Sequence, residues 1–181
     1  MKKIVTGALA LGVILGSGSS FASAAEINTV SKTKDLTIQN GNRIQAISTL
    51  TAKGIDTNTF NKIYKAMKKH DGKPYKYGGN SPATGFDCSG LMQWGYGTEG
   101  IKLPRTSQDQ YNKTTRINKN DLKPGDLVFF KGTDGSKSGI THVGMYIGNN
   151  KFYNASSSGV KEDSLSSSYW SKYIAGYGRI K

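Results

Sequence analysis

Phe86-Asp87-Cys88-Ser89-Gly90-Leu91-Met92-Gln93-Trp94-Gly95-Tyr96 holds the only cysteine of the 181-residue chain. A loop rich in Gly, Asn, Ser and Pro, residues 78–85, runs up to it, and Leu91, Met92 and Gly95 then give the stretch from Cys88 to Tyr96 a helical pattern. Asp87 is of the residue type that caps a helix. Cys88 therefore stands at a helix N-terminus, where unpaired N–H groups and the positive end of the dipole stabilise a thiolate. A lone cysteine taken by composition is first a small buried hydrophobe, or else a link to another molecule or a reactive thiol. Its place at the helix start favours the thiol.

A thiol nucleophile needs an imidazole to take its proton and later return it to the leaving amine. Two histidines are available. His70 ends a lysine-rich segment, while His142 opens the alternating run His142-Val143-Gly144-Met145-Tyr146-Ile147-Gly148. In a strand, His142, Gly144 and Tyr146 share one face and Val143, Met145 and Ile147 the other, so the apolar side packs inward while His142 faces a site. A third polar group must hold the ring and fix its tautomer, and Asn154 is the candidate. A two-residue turn at Asn149-Asn150 would put Asn154 on the wrong face. The assignment thus requires a bulge or an odd-length loop in that hairpin.

The surrounding pattern is α+β, with helices first and strands later. Asp56 or Thr57 caps a helix carrying Phe60, Ile63, Tyr64 and Met67 at helical spacing, with Lys68-Lys69 before Gly72. Strands are expected at Leu127–Phe130, Thr141–Ile147, Lys151–Ala155 and Ile174–Ile180, the first launched by the Pro124-Gly125-Asp126 turn. Ahead of this domain, taken as residues 57–181, residues 25–56 read as a polar tether with a short helix at Arg43–Thr51. Residues 1–24 read as a secretory signal: Lys2-Lys3, the uncharged run Ile4–Leu15 and the small residues Ala22-Ser23-Ala24. That run is short against the ~20 residues that span a bilayer. A secreted location, extracellular or wall-associated, follows.

Lysine and arginine number 25 against 12 acidic residues, a formal charge of +13, which draws the chain to polyanions. The basic residues are scattered and carry no nucleic-acid motif, so anionic wall polymers are the expected polyanion and nucleic acid is not. One cysteine and two histidines without paired ligand spacing make no metal site, and no cofactor is implied. Gly78-Gly79 lacks the Gly-Lys-Ser/Thr of a phosphate loop and reads as a tight bend.

These stretches, together with Tyr75-Lys76-Tyr77-Gly78-Gly79, Leu103-Pro104-Arg105-Thr106-Ser107 and Leu122-Lys123-Pro124-Gly125-Asp126-Leu127, closely resemble the NlpC-type cell-wall cysteine peptidases, in that family's order and over Thr57–Lys181. The resemblance implies a papain-like fold with helices on an antiparallel sheet, Cys88 as nucleophile, His142 as base, and cleavage of peptidoglycan stem peptides between D-glutamate and a diamino acid. It also implies that Tyr75 lies beside the nucleophile, where its hydroxyl joins the Cys88 N–H in an oxyanion hole. The family's third polar residue is most often histidine, so Asn154 is a departure: an amide orients the ring but brings no charge to an imidazolium. Asp87 and Ser89 are the substrate-binding candidates, although Asp87 is first a cap and Ser89 equally supports the turn. The other readings are an amidase acting on a different wall amide or cross-bridge, and a wall-binding protein without turnover. A monomer is expected.

Overall fold

The computed structural model describes residues 53–136 and 138–181. The expected leader, the tether up to residue 52 and the short helix at Arg43–Thr51 lie outside the described residues. The first helix, α1 (Thr57–Lys68), starts where Asp56 accepts a hydrogen bond from Thr59 N–H at 2.9 Å. Phe60, Ile63 and Met67 form its buried stripe, as their spacing requires. A small hairpin, β1 (Asn80–Ser81) and β2 (Gly85–Phe86), leads into α2 (Cys88–Gly97), whose cap is Asp87.

After the helix α3 (Ser107–Lys113) come β3 (Thr115–Ile117), β4 (Leu127–Phe130), β5 (His142–Gly148), β6 (Lys151–Ser156), β7 (Gly159–Ser164) and β8 (Ile174–Arg179). They form one antiparallel sheet in the order β3-β8-β4-β5-β6-β7. The expected α+β architecture, helices packed on an antiparallel sheet, is what the chain adopts. Some elements had no legible pattern. Helix α3, Ser-Gln-Asp-Gln-Tyr-Asn-Lys, buries only Ser107 and Gln110 and is set by its cap, Thr106, which accepts from Asp109 N–H at 3.1 Å. Strand β7 lies at the sheet edge and is largely polar for that reason.

Alternation sorts the sheet residues onto two faces. Leu127 and Phe129 of β4, Val143 and Met145 of β5, and Tyr153 and Ala155 of β6 face the helices and join Ile63, Met67, Leu91 and Met92 in the main core. Val128, Phe130 and Phe152 turn the other way, under Leu165 and Trp170 from the segment between β7 and β8. Both faces of β4 are thus covered, which is why Leu-Val-Phe-Phe is apolar throughout.

The β5–β6 hairpin contains the irregularity the chemistry demanded. Met145 pairs with Tyr153 and Tyr146 with Phe152, but Gly148 pairs with Lys151, so Ile147 is an extra residue. Asn149 and Asn150 both take positive φ, 51° and 58°, as a tight I′-type turn requires. The bulge brings Asn154 to the same face as His142.

Candidate active site

Cys88 is the first residue of α2 and is 6% exposed. Its helix approaches the β1–β2 hairpin so closely that a Cβ on Gly90 would lie 2.0 Å from the Gly79 carbonyl oxygen. This contact presses the N-terminal turn of α2 between the hairpin and the sheet. The backbone N–H groups of Val143 and Ser89 favour the thiolate, which sets the cysteine by β5, one residue beyond His142. Burial nevertheless dominates and, with the Asp87 carboxylate adding to it, pushes the Cys88 thiol up to about 11.

Asp87 accepts from Gly90 N–H at 2.7 Å, Gly78 N–H at 3.0 Å and Ser89 Oγ–H at 3.3 Å. Arg105 donates to both carboxylate oxygens, from Nη1 at 3.0 Å and from Nη2 at 2.5 Å. Asp87 is therefore a cap and the anchor of a bidentate ion pair, and its lone pairs are largely taken. Ser89 Oγ also accepts from Arg105 Nη1 at 3.1 Å. Arg105 thus bridges the segment before α3 to the cap of α2.

His142 is buried, and its Nε2 lies 3.0 Å from Asn154 Oδ1. Asn154 Nδ2 donates to Asp163 Oδ2 at 2.9 Å and to the Lys161 carbonyl at 3.4 Å. With its NH₂ directed at two acceptors, the amide must present oxygen to the ring. Nε2 then carries the proton of the neutral imidazole, and Nδ1 keeps its lone pair. The Trp170 indole stacks on the ring at 4.8 Å between centroids and 28° between planes. Burial lowers the His142 pKa to about 4, against the opposing pull of the Asn154 hydrogen bond and the Asp163 and Asp87 carboxylates.

Gly144 lies across from Asn154, and a Cβ there would be 2.5 Å from Phe152 Cδ2 and 3.2 Å from Asn154 Cβ. The glycine keeps room for the amide. Tyr75, bridged to Phe86, is half-buried beside Cys88, and burial pushes its phenol up to about 12. Two clefts meet here. One, about 370 Å³, includes Cys88, Ser89, Arg105 and the 88%-exposed Tyr77; the other, about 600 Å³, includes His142, Asp163, Tyr169 and Trp170. Tyr75 and Thr141 line both.

The structure thus joins His142 to Asn154, sets Cys88 against the same strand and puts Tyr75 between the clefts. Sequence reading missed Asp163 and Trp170, because each reaches the site across the sheet at no characteristic spacing. Among the described residues no group of His, Cys, Asp or Glu converges as metal ligands.

Helices packed on an antiparallel sheet, with a cysteine at a buried helix start and a histidine–asparagine pair on neighbouring strands, define a papain-like α+β domain. The pattern of the NlpC/P60 family matches residues 72–179, and the chain belongs to that family. It is 47% identical over 119 residues to the Bifunctional muramidase/DL-endopeptidase CwlT of Bacillus subtilis, covering 66% of this chain and 36% of that one. It is 50% identical over 118 residues to the Probable endopeptidase p60 of Listeria monocytogenes, covering 65% of this chain and 23% of that one. A solved lipoprotein-like NLP/P60 family structure from Staphylococcus aureus superposes with a TM-score of 0.69 at 41% identity, over 72% of this chain and 44% of the other. The chain therefore spans well under half the length of the curated relatives it matches here.

Proposed function

We propose that this protein is an exported peptidoglycan endopeptidase that cuts stem peptides at the bond between D-glutamate and a diamino acid, with Cys88 as nucleophile and His142 as base. The observation that carries this reading is His142 of β5 paired with Asn154 of β6 at 3.0 Å, with the N–H of Val143, the next residue of β5, favouring the Cys88 thiolate. The relative named a DL-endopeptidase supports the same reaction class.

Burial disfavours a lone thiolate and a lone imidazolium alike, so between about pH 4 and about pH 11 the resting pair is neutral, with the proton on Sγ. Moving that proton from Sγ to Nδ1 creates the two charges together, each compensating the other. The thiolate attacks the D-glutamyl carbonyl carbon. The Cys88 N–H, which has no intrahelical acceptor, and the Tyr75 hydroxyl take up the oxyanion. The imidazolium returns its proton to the departing amine, leaving a thioester. Water then adds to the thioester, giving its proton to His142, and the collapse releases the acid and restores Sγ–H. The cleft beside Cys88 receives the acyl part, with Ser89 and the Asp87-anchored Arg105 supplying donors to a carboxylate. The cleft beside His142 receives the amine part.

In this reading residues 1–24 direct export, residues 25–56 tether a catalytic domain, the basic surface adds affinity for anionic wall polymers, and the protein acts as a monomer. The test is incubation of the chain from Ala25, alongside Cys88→Ala, with purified peptidoglycan and defined stem peptides, with products identified by mass. Fragments ending in D-glutamate from the wild type alone are expected. Cleavage at another amide would move the protein to the amidase or cross-bridge class, and wall binding without cleavage at any pH would make it a binding protein.

A further inference from the structure

We propose that Asp163 is a positioning residue of this site: its carboxylate fixes the Asn154 amide with oxygen toward His142 and supplies the negative charge that a neutral amide does not bring to the imidazolium. The inference rests on the Cys88–His142 reading above and adds a member to it.

The geometry is a hydrogen-bonded relay. His142 Nε2 lies 3.0 Å from Asn154 Oδ1, and Asn154 Nδ2 lies 2.9 Å from Asp163 Oδ2. In β6 and β7, Asn154 pairs with Lys161 and Phe152 with Asp163, so Asp163 is the diagonal neighbour of Asn154 on its own face. Turning the amide over would set its oxygen against the Asp163 carboxylate and the Lys161 carbonyl, two acceptors with no proton to give. The carboxylate therefore selects the tautomer that leaves His142 Nδ1 as base.

Other charged or titratable groups surround the ring. Asp87 acts on it from the start of α2, and Tyr75 from the loop before β1, Asp134 from the β4–β5 connection and Lys161 from β7 line the same cleft. Asp87 is already neutralised by Arg105, and Asp134 lies on the open rim. Lys161 Nζ is 3.3 Å from Asp163 Oδ1, but its side chain is 44% exposed against 16% for Asp163. Its charge is screened by water more than the carboxylate it faces. Asp163 is thus the carboxylate connected to the ring by hydrogen bonds.

The test uses the full chain with Asp163→Asn and Asp163→Ala, reading the rate of Cys88 alkylation by iodoacetamide against pH, together with the thermal midpoint. This readout needs no wall substrate, so it stands whichever amide the enzyme cuts. Loss of a negative charge makes each proton of the pair easier to release. Both variants should shift the acid limb of the profile to lower pH by about 0.5–1 unit. Asp163→Asn can turn its own oxygen to Asn154 Nδ2 and should lose only a few-fold in plateau rate. Asp163→Ala frees the amide and should lose about tenfold or more. Unchanged limbs and rates in both variants would overturn the proposal. So would losses that follow a lowered thermal midpoint with the limbs unmoved. A wild-type thiol that alkylates like an isolated one, without a low-pH plateau, would remove the Cys–His reading and this relay with it.

Discussion

His142 is held neutral by burial, and that has a consequence for stability as well as chemistry. Its folded pKa, about 4, lies below the ordinary value of 6.5, so the unfolded chain takes up its proton first on acidification. The stabilising difference is fully present above about pH 6.5 and is lost as pH falls toward 4, at up to ~1.4 kcal/mol per pH unit. Between pH 7 and pH 4.5 the wild type should therefore lose about 2–3 kcal/mol more than His142→Gln, read from urea midpoints at each pH. Equal losses in the two proteins would mean that the ring is solvated or charged in the folded state. That His142 turns away from the main core was legible from strand alternation. The stacking of Trp170 over it was not, because an aromatic in a serine-rich segment has no periodicity that points to a partner.

Helix α2 is shaped by two glycines with opposite requirements. Gly90 faces the hairpin with no room for a methyl group, whereas a Cβ on Gly97, at the other end, would meet nothing within 4 Å. Gly90→Ala must push backbone from backbone and should cost about 3 kcal/mol or more. Gly97→Ala removes chain entropy from the unfolded state and should stabilise by about 0.5–1 kcal/mol. Denaturant titration of the two variants checks both signs. Two losses of equal size would show that helix propensity, not the close approach to Gly79, sets the sequence here. The β5–β6 hairpin illustrates how far local reasoning reaches. The parity of His142 and Asn154 demanded an extra residue between them, and Ile147 is that residue, but its place came from the observed register.

Across the domain, one ion pair ties the far end of the chain to the middle of the sheet. Arg179 of β8 donates to Asp126 from Nε at 2.9 Å and from Nη2 at 2.8 Å, and the two side chains are 6% and 3% exposed. Asp126 also accepts from Lys123 N–H at 2.7 Å, so the Pro124-Gly125-Asp126 turn that launches β4 is anchored through the same carboxylate. Removing one partner leaves a buried charge, and Arg179→Met should cost about 3–5 kcal/mol. The double variant Asp126→Leu/Arg179→Met should recover much of that loss. A single variant as stable as the wild type would mean that water reaches Asp126. Neither residue suggested a partner from its position, since four strands, β4 to β7, lie between Asp126 and the strand of Arg179, and the two meet through the β4–β8 pairing.

What could be read along the chain was whatever acts within a few residues: the cap at Asp87, the helix that begins at Cys88, the alternation that turns His142 from the core, and the turn at Asn149-Asn150. These follow from backbone periodicity and local hydrogen bonding, which leave their pattern in order of sequence. Arg105 on Asp87, Asp163 behind Asn154, Trp170 over His142 and Arg179 on Asp126 were settled by the folded chain. Each depends on strand register or on one element packing over another, and a contact across a sheet has no spacing along the sequence to announce it.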